Sequence, residues 1–133
     1  MSSNDDQIAQ AESRLGVRFP ADYRTFLATE GSMSRFVLPA DDFLMINAIE
    51  ELVDVNETGD IQERFPGGVV IGGDGGREML TYDFRQEPPA LVLLDNSAQD
   101  WSAAIHQATS LTALLEQFPE HGWNWDDSEP STH

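Results

Sequence analysis

Apolar residues in the first thirty positions recur at helical spacing, stop, and then recur. Ile8, Ala11 and Leu15 form one stripe that ends at Gly16, and Tyr23, Phe26 and Leu27 form a second that ends at Gly31. Glycine is favoured just past a helix end because it tolerates positive φ. Proline is favoured in a first helical turn, where its missing N–H has no partner to lose. With Pro20 opening the second stripe, the pattern predicts two short helices joined by an extended Val17-Arg18-Phe19 link. The period then changes. Phe36-Val37-Leu38, closed by Pro39, and Phe43-Leu44-Met45-Ile46 are apolar runs of strand length. Asn47 followed by Glu50 has the spacing of a capping box, which predicts a helix from Ala48 to about Asn56 with Ile49, Leu52 and Val53 facing inward.

Beyond a polar stretch, Val69-Val70-Ile71 predicts a strand, Gly72-Gly73-Asp74-Gly75-Gly76 a hairpin turn that uses positive φ, and Met79 to Phe84 the returning strand. Leu91-Val92-Leu93-Leu94 is apolar without alternation, the mark of a central strand buried on both faces. Ser110 caps a last helix whose apolar positions, Leu111, Leu114, Leu115 and Phe118, fall at i, i+3, i+4 and i+7. The chain therefore reads as an α+β fold with an N-terminal helical pair, a central, mostly antiparallel sheet with a helix insertion, and a C-terminal helix. One domain is expected over residues 1–125, with a polar, frayed tail over 126–133.

Composition narrows this. A chain of 133 residues can bury one sizeable core, and the absence of Cys excludes disulfides, thiolate metal sites and Cys nucleophiles. The opening MSSNDDQ has no basic or apolar signal region, and no apolar run approaches the roughly 20 residues needed to span a bilayer, so a soluble, cytoplasmic protein is expected. Charge adds more. Twenty-four acids face seven bases, all Arg, for a net formal charge of −17. Residues 1–40 hold five acids and four Arg (net −1); residues 41–133 hold nineteen acids and three Arg (net −16). Such a surface repels nucleic acid and anionic lipid and attracts cationic partners. General solubility, or a source whose proteins favour acids and Arg over Lys, accounts for the same balance.

Catalytic and metal signals are weak, and no catalytic residue, metal or cofactor is expected. Asp54, Asn56, Gly59 and Ile61 fit four positions of an EF-hand loop, but the twelfth position is Phe65 where a bidentate Glu is needed, so 54–61 reads as a polar surface loop. The glycines at 72–76 lack the Gly-Lys-Ser/Thr ending of a phosphate loop and precede a strand, leaving Asp74 and Glu78 as rim contacts at most. His106, His121 and His133 are isolated in sequence. Trp101 reads as core; Trp123 and Trp125 read as packing over the terminal helix, with interface anchoring the alternative.

LGVRFPADYRTFL resembles the opening motif of the SMI1/KNR4 family of the SUKH superfamily: a helix, Leu-Gly, Leu/Phe-Pro, and an acidic-Tyr-x-x-Phe-Leu helix. The resemblance continues through INAIEELVDVNE, PGGVVIGGDGGREMLTYD and DWSAAIHQATSLTALLEQF, in the family's order and over almost the whole chain. Arg77 stands where the family more usually has a small residue, and Thr109-Ser110-Leu111 replaces its usual Asp/Pro-Ser-Phe. The resemblance implies a binding module without catalytic chemistry. Bacterial members are similar to immunity proteins that sit on a toxin domain, often a nuclease or deaminase, and block it. Fungal relatives look like regulatory scaffolds, so a scaffold or adaptor domain without a toxin partner is the alternative.

Charge and resemblance together imply a cognate, basic, nuclease-like toxin domain as partner, with no nucleic acid or membrane and an undetermined oligomeric state. Between Asp41 and Glu63 there are eight acids and no base. Glu50, Asp54 and Glu57 share one face of the predicted helix, where like charges at i, i+4 cost about 0.2–0.5 kcal/mol per pair. Asp41, Asp42, Glu50, Glu51, Asp54, Glu57 and Asp74 are therefore the candidate partner-binding residues, against the alternative of an ordinary solvated face.

Overall fold

In the computed structural model, which describes residues 3–58 and 60–125, the two N-terminal stripes form α1 (Ser3–Leu15) and α2 (Ala21–Thr29). Gly16 and Gly31 follow them at φ +73° and +81°. The link between the helices is pinned by Glu12, whose Oε2 accepts the Phe19 N–H at 2.7 Å and lies 3.5 Å from Arg24 Nε. The remaining elements are β1 (Met33–Val37), β2 (Asp42–Ile46), α3 (Ile49–Glu57), α4 (Ile61–Arg64), β3 (Gly68–Gly73), β4 (Glu78–Asp83), β5 (Ala90–Asp95), a 3₁₀ turn (Trp101–Ala103), β6 (Ile105–Ala108) and α5 (Leu111–His121). The tail expected over 126–133 lies outside the described residues.

The strands form one antiparallel sheet in the order β1-β2-β3-β4-β5-β6. The fold class is α+β, as the pattern implies. Alternation along the central strands feeds two cores. Val69, Ile71, Leu80, Tyr82, Leu91 and Leu93 meet α1, α2, α3 and α5 on one face; Val70, Val92 and Leu94 meet Ile61, Phe65 and Ala98 on the other. β5 is thus buried on both faces, which is why its sequence does not alternate. The sheet also curls. After α5, Trp123 donates its backbone N–H to Asp42 Oδ2 and its Nε1 to Phe43 O in β2, while Asn124 bonds to His106 O and the Gln107 side chain in β6.

Several elements differ from the pattern. Gly72 and Gly73 belong to β3, paired with Ile46 and Met45 on one side and Leu80 and Met79 on the other, so the turn is confined to 74–77. A Cβ on Gly72 would run into Met45 O and one on Gly73 into Glu78 O; the strands approach too closely for side chains. The Asn47 capping box does not form. Ala48 occupies the N-cap position, and Asn47 instead extends the β2–β3 ladder through its N–H to Ile71 O at 2.8 Å. The segment expected as a polar loop over 54–61 is the end of α3 and the start of α4, with Asn56 and Ile61 buried and Gly59 outside the described residues. β6, α4 and the 3₁₀ turn have no apolar signature long enough to announce them.

Asn56 explains the helix insertion. β2 and β3 part after Ile46, and the β3–β4 register slips between Val70 and Gly72, turning the Val70 and Ile71 carbonyls toward the same edge. Asn56 Nδ2 donates to Val70 O at 2.8 Å and to Leu52 O at 2.9 Å, and its Oδ1 accepts the Val70 N–H at 2.6 Å. The side chain pairs with β3 as a strand would, fully buried. Asn56→Ala strands both Val70 groups, each unsatisfied group costing about 1–3 kcal/mol. We expect a loss of about 3 kcal/mol, read as a lower urea midpoint with the slope unchanged.

Tyr23 and Tyr82 are the second buried polar feature. Their rings lie 5.5 Å apart, and neither hydroxyl has a hydrogen-bond partner. Burial, then the Tyr82 neighbour of Tyr23 and the Asp22 neighbour of Tyr82, push both phenols well above their ordinary pKa. Both folded values exceed the unfolded value of about 10, so this stabilising contribution is complete below pH 10 and is lost as pH rises past it. The chain has no other Tyr, no Lys and no Cys, so little else titrates there. Unfolding free energy is expected to fall by up to about 2.7 kcal/mol per pH unit above pH 10. The double variant Tyr23→Phe, Tyr82→Phe should remove that fall without lowering stability at pH 7.

Candidate partner-binding surface

α3 sits at the opening between β2 and β3 because it has apolar residues for both cores, Ile49 and Leu52 on one side and Val55 on the other. What remains faces out: Glu50, Glu51, Asp54 and Glu57 are all exposed. Their neighbours differ. Glu57 takes a bidentate ion pair from Arg14 of α1, with Nε to Oε2 at 2.8 Å and Nη2 to Oε1 at 3.0 Å. Glu51 Oε1 accepts from Asn47 Nδ2 at 3.2 Å. Glu50 and Asp54, one turn apart, make no side-chain hydrogen bond or ion pair with another described residue. Beyond Glu57, a hollow of about 500 Å³ is lined by Asp60, Glu63, Glu57, Gln62, Asn56 and Ile61, continuing the acidic surface onto α4.

The other candidates lie elsewhere and are differently employed. Asp42 Oδ2 accepts the Trp123 N–H at 3.0 Å, and Gly122 packs directly against that carboxylate. Asp74 Oδ1 accepts the N–H groups of Gly76 and Glu78 at 2.9 and 3.1 Å, building the β3–β4 turn. Beside it, Glu78 is raised above the usual carboxylate range by burial and by Asp95 and Asp74. Asp41 is exposed at the β1–β2 turn at φ +63°, its side chain unpaired among the described residues. The structure therefore gathers Glu50, Glu51, Asp54 and Glu57 on one helix and leaves Asp41, Asp42 and Asp74 apart from them. Among the described residues no group of three or more His, Asp or Glu could hold a metal, and no helix is long and apolar enough to cross a membrane.

A model of the SMI1 / KNR4 family (SUKH-1) matches residues 3–117. The chain belongs to this family. It is also similar to the uncharacterized protein YnaB of Bacillus subtilis (strain 168), with 34% identity over 71 residues, 53% of this chain and 43% of YnaB. The match thus spans less than half of that relative's length.

Two further features of this SMI1/KNR4 domain emerge in three dimensions. His106 and His121, fifteen positions apart, line one hollow of about 560 Å³ between β6 and α5. Phe36 and Leu38 are 63% and 70% exposed at the outermost strand. The run Phe36-Val37-Leu38 did carry a signal for the second: apolar residues on successive positions of a strand cannot all face one core. The tryptophans divide. Trp123 is buried edge-on against Phe118 at 4.9 Å, Trp125 is 54% exposed, and Trp101 is half-buried against Phe65 with Arg85 4.2 Å over its ring.

The carboxylates' different employments predict different stability effects. Asp42→Ala removes the acceptor of a part-buried N–H and should cost about 1–2 kcal/mol. Glu50→Gln and Asp54→Asn should stay within about 0.5 kcal/mol. Thermal melts of the three variants, side by side, check this division.

Proposed function

We propose that this SMI1/KNR4 domain is an immunity-type inhibitor that neutralises a basic, nuclease-like toxin domain by stoichiometric binding. SUKH domains are known among immunity proteins that bind toxin partners, and the family is generally one of non-enzymatic binding domains. The observation that carries the reading to this chain is the α3 face. Glu50 and Asp54 stand one turn apart, exposed and unspent on the fold, Glu50 in the first turn where the dipole favours an anion and Asp54 past it where the dipole gives little help. A nuclease holds its substrate phosphates with cationic side chains, and an acidic helix face fits the same cations. The net charge of −17 adds long-range attraction, which acts mainly on the association rate.

The test is growth rescue followed by kinetics. This reading predicts a basic toxin domain encoded beside this chain; co-expression with it should restore growth, and the purified pair should bind one to one, more weakly as salt rises. Glu50→Lys with Asp54→Lys should slow association about tenfold at low salt and flatten the salt dependence, leaving the melting temperature unchanged. Unaltered kinetics in that variant would remove α3 from the interface. Absence of rescue by the unmodified chain would sink the inhibitor reading itself.

A further inference from the structure

β1 is an edge strand, paired with β2 along one side only. The opposite edge of the sheet is managed differently. At β6, the carbonyls of His106 and Gln107 accept from Asn124 Nδ2 and Gln117 Nε2, so the chain after α5 and the helix itself cover that edge. Nothing comparable lies along β1 among the described residues, where no hydrogen bond joins its backbone to any element but β2 and the turn that follows it. An uncovered strand presents a row of N–H and C=O groups ready to pair with another strand.

Both faces of β1 carry apolar residues with polar ones among them, Arg35 between Met33 and Val37 and Ser34 before Phe36. On the helix side, Met33 and Val37 join Phe26, Leu44, Leu115 and Phe118 around a groove of about 570 Å³. On the other side Phe36 packs edge-on against Phe43 at 5.2 Å while keeping 63% of its own surface exposed, with Leu38 beyond it. Charge is arranged along the same line. Glu30 precedes the strand on the rim of the groove, Asp41 follows it, and Arg35 stands at its midpoint. None of the three side chains is paired with another described residue.

We propose that β1 is a docking edge for an extended segment of a basic partner protein, which adds a seventh strand to the sheet. Main-chain bonds to β1 supply affinity, and alternate apolar side chains of the incoming strand enter the groove beside Met33 and Val37. Basic residues at the two ends of the segment meet Glu30 and Asp41, and an acid between them meets Arg35. A second copy of this chain is a poorer occupant. Antiparallel pairing of two β1 strands about their midpoint sets Arg35 against Arg35, and like charges directly opposite are unfavourable. It also brings together two chains of −17. This surface is separate from the α3 face, and the inference holds whether the partner is a toxin or not.

The probe is a synthetic nonapeptide, Lys-Thr-Val-Thr-Glu-Thr-Val-Thr-Lys, in which Thr alternates with the residues that face Met33, Arg35 and Val37. It is titrated into the isotopically labelled full chain and followed by amide shifts and hydrogen exchange. Expected are shifts and new amide protection confined to residues 33–37 and the groove. A scrambled peptide of the same composition should bind at least tenfold more weakly. Glu30→Lys with Asp41→Asn, both at exposed positions whose side chains are unpaired among the described residues, should weaken the alternating peptide at least tenfold with an unchanged melting temperature. Equal binding of the scrambled peptide, shifts mapping to α3, or no binding at all would overturn the proposal. So would concentration-dependent dimerisation, with β1 protected in the absence of peptide.

Discussion

The pairing of Asn56 with Val70 is the contact around which the rest of this domain is arranged. An antiparallel meander could continue β2 along β3 for the full length of both strands, but here the two part after Ile46, and the edge of β3 is left facing the protein interior. Buried backbone groups need partners. One amide side chain supplies both a donor and an acceptor to Val70 and ties itself back to its own helix at Leu52. That single residue lets a helix stand where a strand would have been. It thereby fixes α3 across the opening with Leu52 in one core and Val55 in the other, and its remaining face in water.

The acidity of the chain divides along the same architecture. From Asp74 to Asp100 the aspartates are turn builders: Asp74, Asp83, Asp95 and Asp100 each accept the N–H two residues on. This is the local bonding for which Asp is favoured in turns. Asp83 is the most buried of these. Burial opposes its charge, but the Arg85 guanidinium and N–H and the Gln86 amide outweigh that and hold its carboxyl below the usual range. Asp22 reaches across from α2 to accept both the N–H and the hydroxyl of Thr112, in the first turn of α5. A large part of the negative charge is therefore used in folding. Glu50 and Asp54 of α3, and Glu30 and Asp41 at the two ends of β1, pair with no other described side chain, so they stand out more sharply in the structure than in the composition.

Much of the fold was legible because it rests on periodicity. The two N-terminal stripes, the unalternating run at 91–94 and the Ser110 cap, whose side chain accepts the Ala113 N–H, each announce a local solution that tertiary packing did not overrule. The failures share a cause as well. Asn47 was legible as a cap and Asn56 as the end of the helix and the start of a polar loop, because local bonding is what Asn offers in an isolated peptide. In the folded chain both were recruited to the edge of β3, a demand made by a strand more than ten residues away. Gly72 and Gly73 look like a turn for the same reason: their lack of side chains serves close approach of the neighbouring strands, which no local pattern encodes. At the candidate surface, spacing placed Glu50, Asp54 and Glu57 on one face, but not the Arg14 that neutralises Glu57 from another helix.

The outer strand is where folding needs alone leave the most unexplained. α5 and the segment after it draw β2 and β6 together, so the curled sheet from β2 to β6 encloses its own core. β1 lies outside that closure. Met33 and Val37 only pack against the rim of the core, and Phe36 and Leu38 expose apolar surface at a sheet edge that no other described residue covers. A chain that spends Asn56 on one interior edge and Gln117 and Asn124 on another has the means to cover or charge the third. Proteins commonly blunt such edges with charge, proline or a bulge. Within β1 the only charged residue is Arg35, and Pro39 falls beyond the strand. An edge that no other described residue covers, flanked by the exposed Phe36 and Leu38, offers its backbone groups to another chain.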